Sequence, residues 1–410
     1  MNMMKRFGAL ALALTLSLAA LSGCQAPGSG SGSTSGSGDT SSSGDTSSSG
    51  DTSQPESMDL SQVTDPYLAV AGAASGDTVA TLGGDEVTAA SFLYWFNYTA
   101  ERSLGSNLTT IPWDADLGGV SMGDYIKDEA LEVALFHVLL HAQAREAGLS
   151  PDPALAEELN RQFTEAAAQA GDEAQVRHTL WAQLLTPDLL LYYNESSDLY
   201  NQLAELYYGE NSGSYPTDAE VTAFLDETGV YRAKHILLST VDENRQPLED
   251  EAVIAQKKSQ ADELLARLQG AEDPIALFDQ LMNEHSEDPG LALNPEGYTT
   301  EKGQMVAPFE EAALALKPGE ISGVVESELG YHIILRMPID PAGYRDRMIS
   351  HLLEERLDQR KQELGVEKTA LFSSLDPAVF MPKLTALQTA VYNELTADQT
   401  GGASSSGSQG

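Results

Sequence analysis

The sequence predicts an α+β chain in which a unit with two β-rich runs is inserted between the two halves of an otherwise all-helical part. Three observations carry this reading. Helical periodicity fills most of 88–228 and returns from Tyr344 onward. Between those stretches the pattern changes, with β-rich runs at 232–239 and 331–336 bracketing two helical patterns. Neither terminal helix set has a clear apolar partner of its own, so the C-terminal helices are expected to pack on the N-terminal ones.

The first segment reads as an address. Lys5 and Arg6 precede an apolar run from Phe7 to Leu21, too short for a comfortable bilayer span of ~20 residues. The run ends in Leu21-Ser22-Gly23-Cys24, which resembles a bacterial lipobox. That resemblance implies cleavage before Cys24 and lipidation of its thiol, and two acyl chains anchor stably where one is marginal. From 25 to about 57 the chain is Gly, Ser, Thr and Asp with a GDTSSS repeat, too polar to bury a core. As a flexible coil it would hold the folded part on the order of 30 Å from the membrane.

The first strand is expected at Thr78 to Leu82, turning at Gly83-Gly84. Thr88 then caps a helix with Phe92, Trp95, Phe96 and Thr99 on one face. A longer helix is predicted over 121–147 and closed by Gly148, with Ser150-Pro151 opening the next. One further helical stretch is expected over 172–208. Thr217-Asp218-Ala219-Glu220 is a capping box whose helix ends near Gly229. After the central unit, Met348, Leu352 and Leu357 share a helix side, and Leu384, Leu387 and Val391 share another within 382–395.

Composition excludes several functions. With 62 acidic against 23 basic residues, a formal charge of −39, the chain repels phosphate, so no nucleic-acid partner is expected. A single cysteine allows no intramolecular disulfide and no thiolate-pair metal site. His137 and His141 stand four apart on a helix, but Val138 occupies the place where zinc proteases need Glu, and no metal is expected.

The central unit carries five motifs in order: Ala233-Lys234-His235-Ile236-Leu237-Leu238, Ser286-Glu287-Asp288-Pro289-Gly290, Gly303-Gln304-Met305-Val306-Ala307-Pro308-Phe309-Glu310, Lys317-Pro318-Gly319-Glu320-Ile321-Ser322 and Gly330-Tyr331-His332-Ile333-Ile334. Their order and spacing resemble the parvulin family of peptidyl-prolyl isomerases over about 231–338. The address and flanking helices resemble the PrsA-like and SurA-like foldases, in which helical segments embrace a parvulin domain. The resemblance implies a small antiparallel sheet with flanking helices. The expected organisation is a signal peptide at 1–23, lipidated Cys24 with its linker to 57, and helices over 58–228. A parvulin domain at 229–338, C-terminal helices at 339–397 and a tail at 398–410 follow.

The resemblance also implies roles. Rotation about an X-Pro bond breaks no bond, so the reaction needs neither nucleophile nor cofactor, and none is expected. It needs an apolar seat for the prolyl ring and surroundings that favour the twisted amide. Met305 and Phe309 are expected to line that seat, the alternative being ordinary core packing. His235 and His332 match the family's central histidine pair. Asp288 falls where the family carries Cys or Asp facing the substrate amide; its alternative is a loop carboxylate beside Glu287. Ser327 matches a hydroxyl position in the last loop. Asn294-Pro295-Glu296-Gly297-Tyr298 stands where many parvulins have Gly-Gly-Asp-Leu-Gly, and Tyr298 is expected to cover that side of the seat. The loop 240–251 has Asp242, Glu243, Glu249, Asp250 and Glu251 against Arg245 alone, so no preference for phosphorylated substrates is expected. The implied function is an extracytoplasmic isomerase, anchored at Cys24 to the outer face of the cell membrane and acting on unfolded or partly folded exported polypeptides. The alternative is a holdase whose helical part binds clients while the parvulin domain serves as scaffold.

Overall fold

The computed structural model describes residues 58–401; Cys24, the signal segment and the linker lie outside the described residues. The chain divides into two units, Tyr207–Leu352 and a second formed by 58–206 together with 353–401.

The second unit is built from both ends of the chain. Asp65 caps a short helix α1 (Pro66–Ala71), taking the Tyr67 and Leu68 amides. Strands β1 (Thr78–Leu82) and β2 (Asp85–Thr88) form a hairpin around Gly83 and Gly84, both at positive φ. Thr88 accepts from the Ser91 amide and starts α2 (Ala89–Leu104), and Ser121 does the same for α3 (Met122–Glu146). Phe92, Trp95 and Phe96 of α2 are buried. Helices α4 (Ala154–Ala170), α5 (Glu173–Trp181) and α6 (Pro187–Tyr208) follow. Past the inserted residues come α11 (Arg345–Leu364), β7 (Val366–Lys368), α12 (Ala370–Ser374) and α13 (Pro377–Gly401), numbered after the elements given below. These return onto the N-terminal helices. Phe372 meets Phe92 edge-on at 5.3 Å, Phe380 meets Phe96 at 5.0 Å, and Glu394 Oε2 accepts from His178 Nδ1 at 2.8 Å.

Four expectations need correction here. The flanking part is not purely helical, because β7 pairs antiparallel with β1 in a three-stranded sheet ordered β2-β1-β7. The stretch 172–208 is two helices, broken where Leu184 takes φ +55 and Pro187 withholds an amide. The Leu184 carbonyl is held by the Tyr67 hydroxyl at 2.8 Å. The helix expected to open at Ser150-Pro151 begins at Ala154, and the last helix runs through Pro382 to Gly401, beyond the tail's expected start.

The other unit begins with α7 (Asp218–Thr228), whose capping box of Thr217 and Glu220 is complete. Then come β3 (Val230–Ser239), α8 (Glu251–Gln269), α9 (Pro274–His285), β4 (Tyr298–Glu301), α10 (Ala307–Ala315), β5 (Val325–Ser327) and β6 (Gly330–Met337). The sheet is antiparallel throughout, ordered β4-β3-β6-β5. Alternation along the central strands sends Ile236, Leu238, Tyr331, Ile333 and Leu335 to one face, packed with Leu264 and Leu268 of α8 and Phe278 and Leu281 of α9. Tyr231, Ala233 and Ile334 point the other way, onto Phe309 and Ala313 of α10.

His137 of α3 is buried in the helical unit, stacked on Trp95 at 5.2 Å, and neither of its ring nitrogens has a partner. Burial, with His141 adding to it, pushes this imidazole down to about 3. An unfolded chain holds its imidazole near ~6.5, so the unfolded state takes up the proton first as pH falls. Stability from this site is whole above that value and is lost as pH drops from there toward 3. All three tryptophans, Trp95, Trp113 and Trp181, belong to this unit, so their fluorescence reports its unfolding. Between pH 7 and pH 5 the wild type should lose about 2 kcal/mol more than His137→Phe in fluorescence-monitored denaturation. Equal losses in the two proteins would refute this.

Candidate active site

The face of the central sheet beneath α10 brings together seven of the residues singled out by sequence. The pairing of β3 with β6 sets Leu237 opposite His332 and His235 opposite Ile334, so the two imidazoles lie diagonally on one face. Their rings are near-parallel, 11° apart, and approach edge to edge with Nδ1 to Nδ1 at 3.2 Å. Gly330 starts β6 at φ +137, where a Cβ would come within 2.2 Å of the Leu238 carbonyl. No other residue fits there without moving the strand.

The loop after α9 is stitched to β3 by three bonds. Leu237 donates its amide to Ser286 Oγ at 3.1 Å, Glu287 its amide to the Leu237 carbonyl at 2.8 Å, and Ser239 its amide to Glu287 Oε2 at 2.8 Å. This delivers Asp288 Oδ2 to within 3.0 Å of His235 Nε2. The Tyr298 hydroxyl donates to the same oxygen at 2.6 Å, and the Gly290 amide donates to Oδ1 at 3.0 Å. At the far end Ser327 Oγ lies 2.7 Å from His332 Nε2 and takes the Leu329 amide at 3.1 Å. Five side chains from five chain segments thus form one line: Ser327, His332, His235, Asp288, Tyr298. Phe309 covers it, edge-on to His235 at 5.2 Å and to His332 at 5.5 Å, and half-buried Met305 packs in the same apolar cluster.

Donor and acceptor balance assigns the protons in this line. An ionised Asp288 only accepts, so His235 Nε2 must carry hydrogen. A neutral His235 then accepts at Nδ1, which makes His332 the donor through its own Nδ1. His332 Nε2 is left to accept, and Ser327 supplies the hydrogen. Every bond points toward the carboxylate, and the line carries a single negative charge.

Burial would push the Asp288 carboxyl up, but hydrogen bonds from His235, Tyr298 and the Gly290 amide outweigh it and hold the group down at about 2. Burial and the neighbouring His235 push His332 down to about 4, against the opposite pull of Asp288. The phenol of Tyr298 is raised by burial and by the Asp288 charge. The loop beyond β3 is a tight turn whose Asp242 Oδ1 takes the Asn244 and Gln246 amides at 2.8 Å each.

Sequence reasoning named these seven residues but missed how they join. The bond from Tyr298 to Asp288 and the stitching role of Ser286 depend on strand register and loop closure, which no local pattern announces. Among the described residues no group of His, Cys, Asp and Glu could hold a metal ion, and no helix is long and apolar enough to cross a membrane.

Comparison with known proteins agrees with the geometry. The family model described as a rotamase, PPIC-type PPIase domain, matches residues 235–337. The foldase protein PrsA of Caldanaerobacter subterraneus subsp. tengcongensis is 30% identical over 265 residues, 64% of this chain and 74% of that protein. The chaperone SurA of Thiobacillus denitrificans is 28% identical over 218 residues, 51% of this chain and 46% of that protein. The peptidyl-prolyl cis-trans isomerase pin1 of Schizosaccharomyces pombe is 36% identical over 110 residues, 26% of this chain and 61% of that protein.

The proton order has a spectroscopic signature. At pH 7 the ring nitrogens in 15N-labelled protein should report hydrogen on Nε2 of His235 and on Nδ1 of His332, with His332 staying neutral until pH approaches 4. The opposite tautomers, or a charged His332 at pH 6, would contradict the assignment.

Proposed function

Because the chain belongs to the PrsA family of foldases and carries a PPIC-type peptidyl-prolyl isomerase domain, we propose that the face under α10 isomerises X-Pro bonds in unfolded exported polypeptides. The reading also places lipidated Cys24 at the outer face of the membrane and needs no cofactor.

The physical task is to lower a barrier of ~20 kcal/mol set by amide resonance, with each tenfold of rate requiring about 1.4 kcal/mol. In a planar amide the carbonyl oxygen carries excess negative charge, and twisting returns that charge to the nitrogen. The ionised Asp288 beside the bound carbonyl disfavours the planar form more than the twisted one. Met305 and Phe309 seat the prolyl ring and exclude water, which strengthens the effect. His235 and His332 keep the floor rigid. Ser327 and Tyr298 close the two ends of the line and bound the seat. The acidic turn at 241–247, with Arg245 its one basic residue, favours substrates without phosphate next to proline.

The observation that carries this reading is the unbroken line from Ser327 to Tyr298 beneath an apolar cover. Proline-limited refolding and peptide isomerisation should be accelerated by the wild type. His332→Ala and Met305→Ala should each lose roughly 10- to 100-fold, the loss expected for a buried partner left unpaired or a seat emptied. No acceleration by the wild type would overturn the proposal.

A second reading, client holding by the helical unit, is favoured by one observation. In the turn before α3, Leu117 donates its amide to the Val120 carbonyl at 2.8 Å, and Gly118 and Gly119 donate theirs to Asp116 Oδ1. This fixed turn presents the apolar side chains of Leu117 and Val120 at 49% and 45% exposure. Leu117→Asp with Val120→Asp should weaken suppression of client aggregation while leaving isomerisation intact. Unchanged suppression would remove this reading.

A further inference from the structure

Residues between Asp288 and Tyr298 close on themselves. The Leu291 amide donates to the Asp288 carbonyl at 3.2 Å, the Asn294 amide and side chain both donate to the Gly290 carbonyl at 3.0 Å, and the Gly297 amide donates to Asn294 at 2.9 Å. Gly297 sits at φ +85, where a Cβ would come 2.6 Å from the Ala233 carbonyl, so the chain enters β4 hard against β3. Tyr298 is the first residue of β4 and is paired with Ala233. Its phenol crosses the loop to Asp288 and lies where a Cβ on Gly290 would come within 2.1 Å of the hydroxyl oxygen. Gly290 therefore clears the path for the hydroxyl, and Gly297 lets the chain enter β4 against β3.

We propose that Tyr298 is a positioning residue, whose hydroxyl clamps the Asp288 carboxylate as the fixed acceptor that sets the proton order of both imidazoles. The inference rests on the isomerase reading of the site and goes beyond it by assigning what keeps the site in one state.

The reason lies in what the carboxyl does when the clamp is absent. With His235 as the one donor to Oδ2, a proton on that oxygen turns the carboxyl into a donor. His235 must then accept at Nε2 and donate from Nδ1, so His332 Nδ1 accepts and its Nε2 donates to Ser327. The whole line reverses, and the negative charge beside the substrate amide is gone. A second donor on Oδ2, with the Gly290 amide on Oδ1, leaves that proton no good place. The titratable groups facing Asp288 are His235 of β3 and Tyr298 of β4, with His332 of β6 one ring further on. Glu287 is turned away, taken by Lys257 and the Ser239 amide. The low value of the Asp288 carboxyl, about 2, fits a group with this donor set, which overcomes the upward push of burial.

The test uses the full chain and two variants. Tyr298→Phe keeps the ring and removes the hydroxyl; Gly290→Ala keeps the hydroxyl and displaces it. The Asp288 carboxyl is followed by 13C titration, and isomerisation kinetics are recorded across pH. Both variants should raise the Asp288 midpoint by about one pH unit, the size expected from losing one hydrogen bond to the charged form. A wild-type midpoint unchanged in Tyr298→Phe would overturn the proposal, whatever the activity. An inactive wild type whose midpoint still moves in both variants would defeat the isomerase reading and leave the clamp standing.

Discussion

One pairing carries the central unit: the antiparallel register of β3 against β6, fixed by Ile236 opposite Ile333 and opened by Gly330. A slip of β6 by one residue against β3 would send His332 into the apolar layer between sheet and helices and bring Ile333 into the site. Every other member of the line hangs from these strands. Ser327 arrives through the β5–β6 hairpin, Asp288 through the stitches to Leu237, and Tyr298 through the pairing of β4 with Ala233. Burying Ile333, Leu335, Ile236 and Leu238 on the far face therefore does more than stabilise the fold. It holds five polar groups in one file.

Much of this was legible because strands and helices write their period into the sequence. The β-rich runs at 232–239 and 331–336 located both central strands, and the capping box at Thr217 and Glu220 marked a helix start that the structure reproduces. The parvulin resemblance pointed to six of the seven side chains that meet on the face beneath α10, and Tyr298 stood out where the sequence departs from that family's pattern. What stayed hidden depends on distant partners. Val366, Glu367 and Lys368 are exposed and show no alternation, so nothing local marks them as a strand; their pairing with β1 makes them one. Leu184 has no sequence cue for a left-handed backbone, and its conformation follows from burial and the Tyr67 hydroxyl. The Tyr298 clamp was invisible for the same reason, since it exists only after β4 finds its register.

Two histidines show how little a depressed pKa says alone. His137 and His332 are both buried, both set among aromatic rings, and both shifted down chiefly by burial. His332 has a partner on each nitrogen, arranged so that a single proton pattern satisfies the line. His137 has none on either nitrogen. The first arrangement is one that function can use, because a polar group in a dry place is costly unless answered. The second is a packed ring whose polarity the fold tolerates.

The pairing of β1 with β7 joins residues 80–82 to 366–368, close to the two ends of the described chain. A polypeptide made from its N-terminus presents β1 long before that last strand exists. The inserted residues, whose sheet pairs entirely within 230–337, have all their strands made while β1 still waits for its partner. Synthesis thus imposes a sequence of events, with the inserted module able to set before the interrupted one is completed.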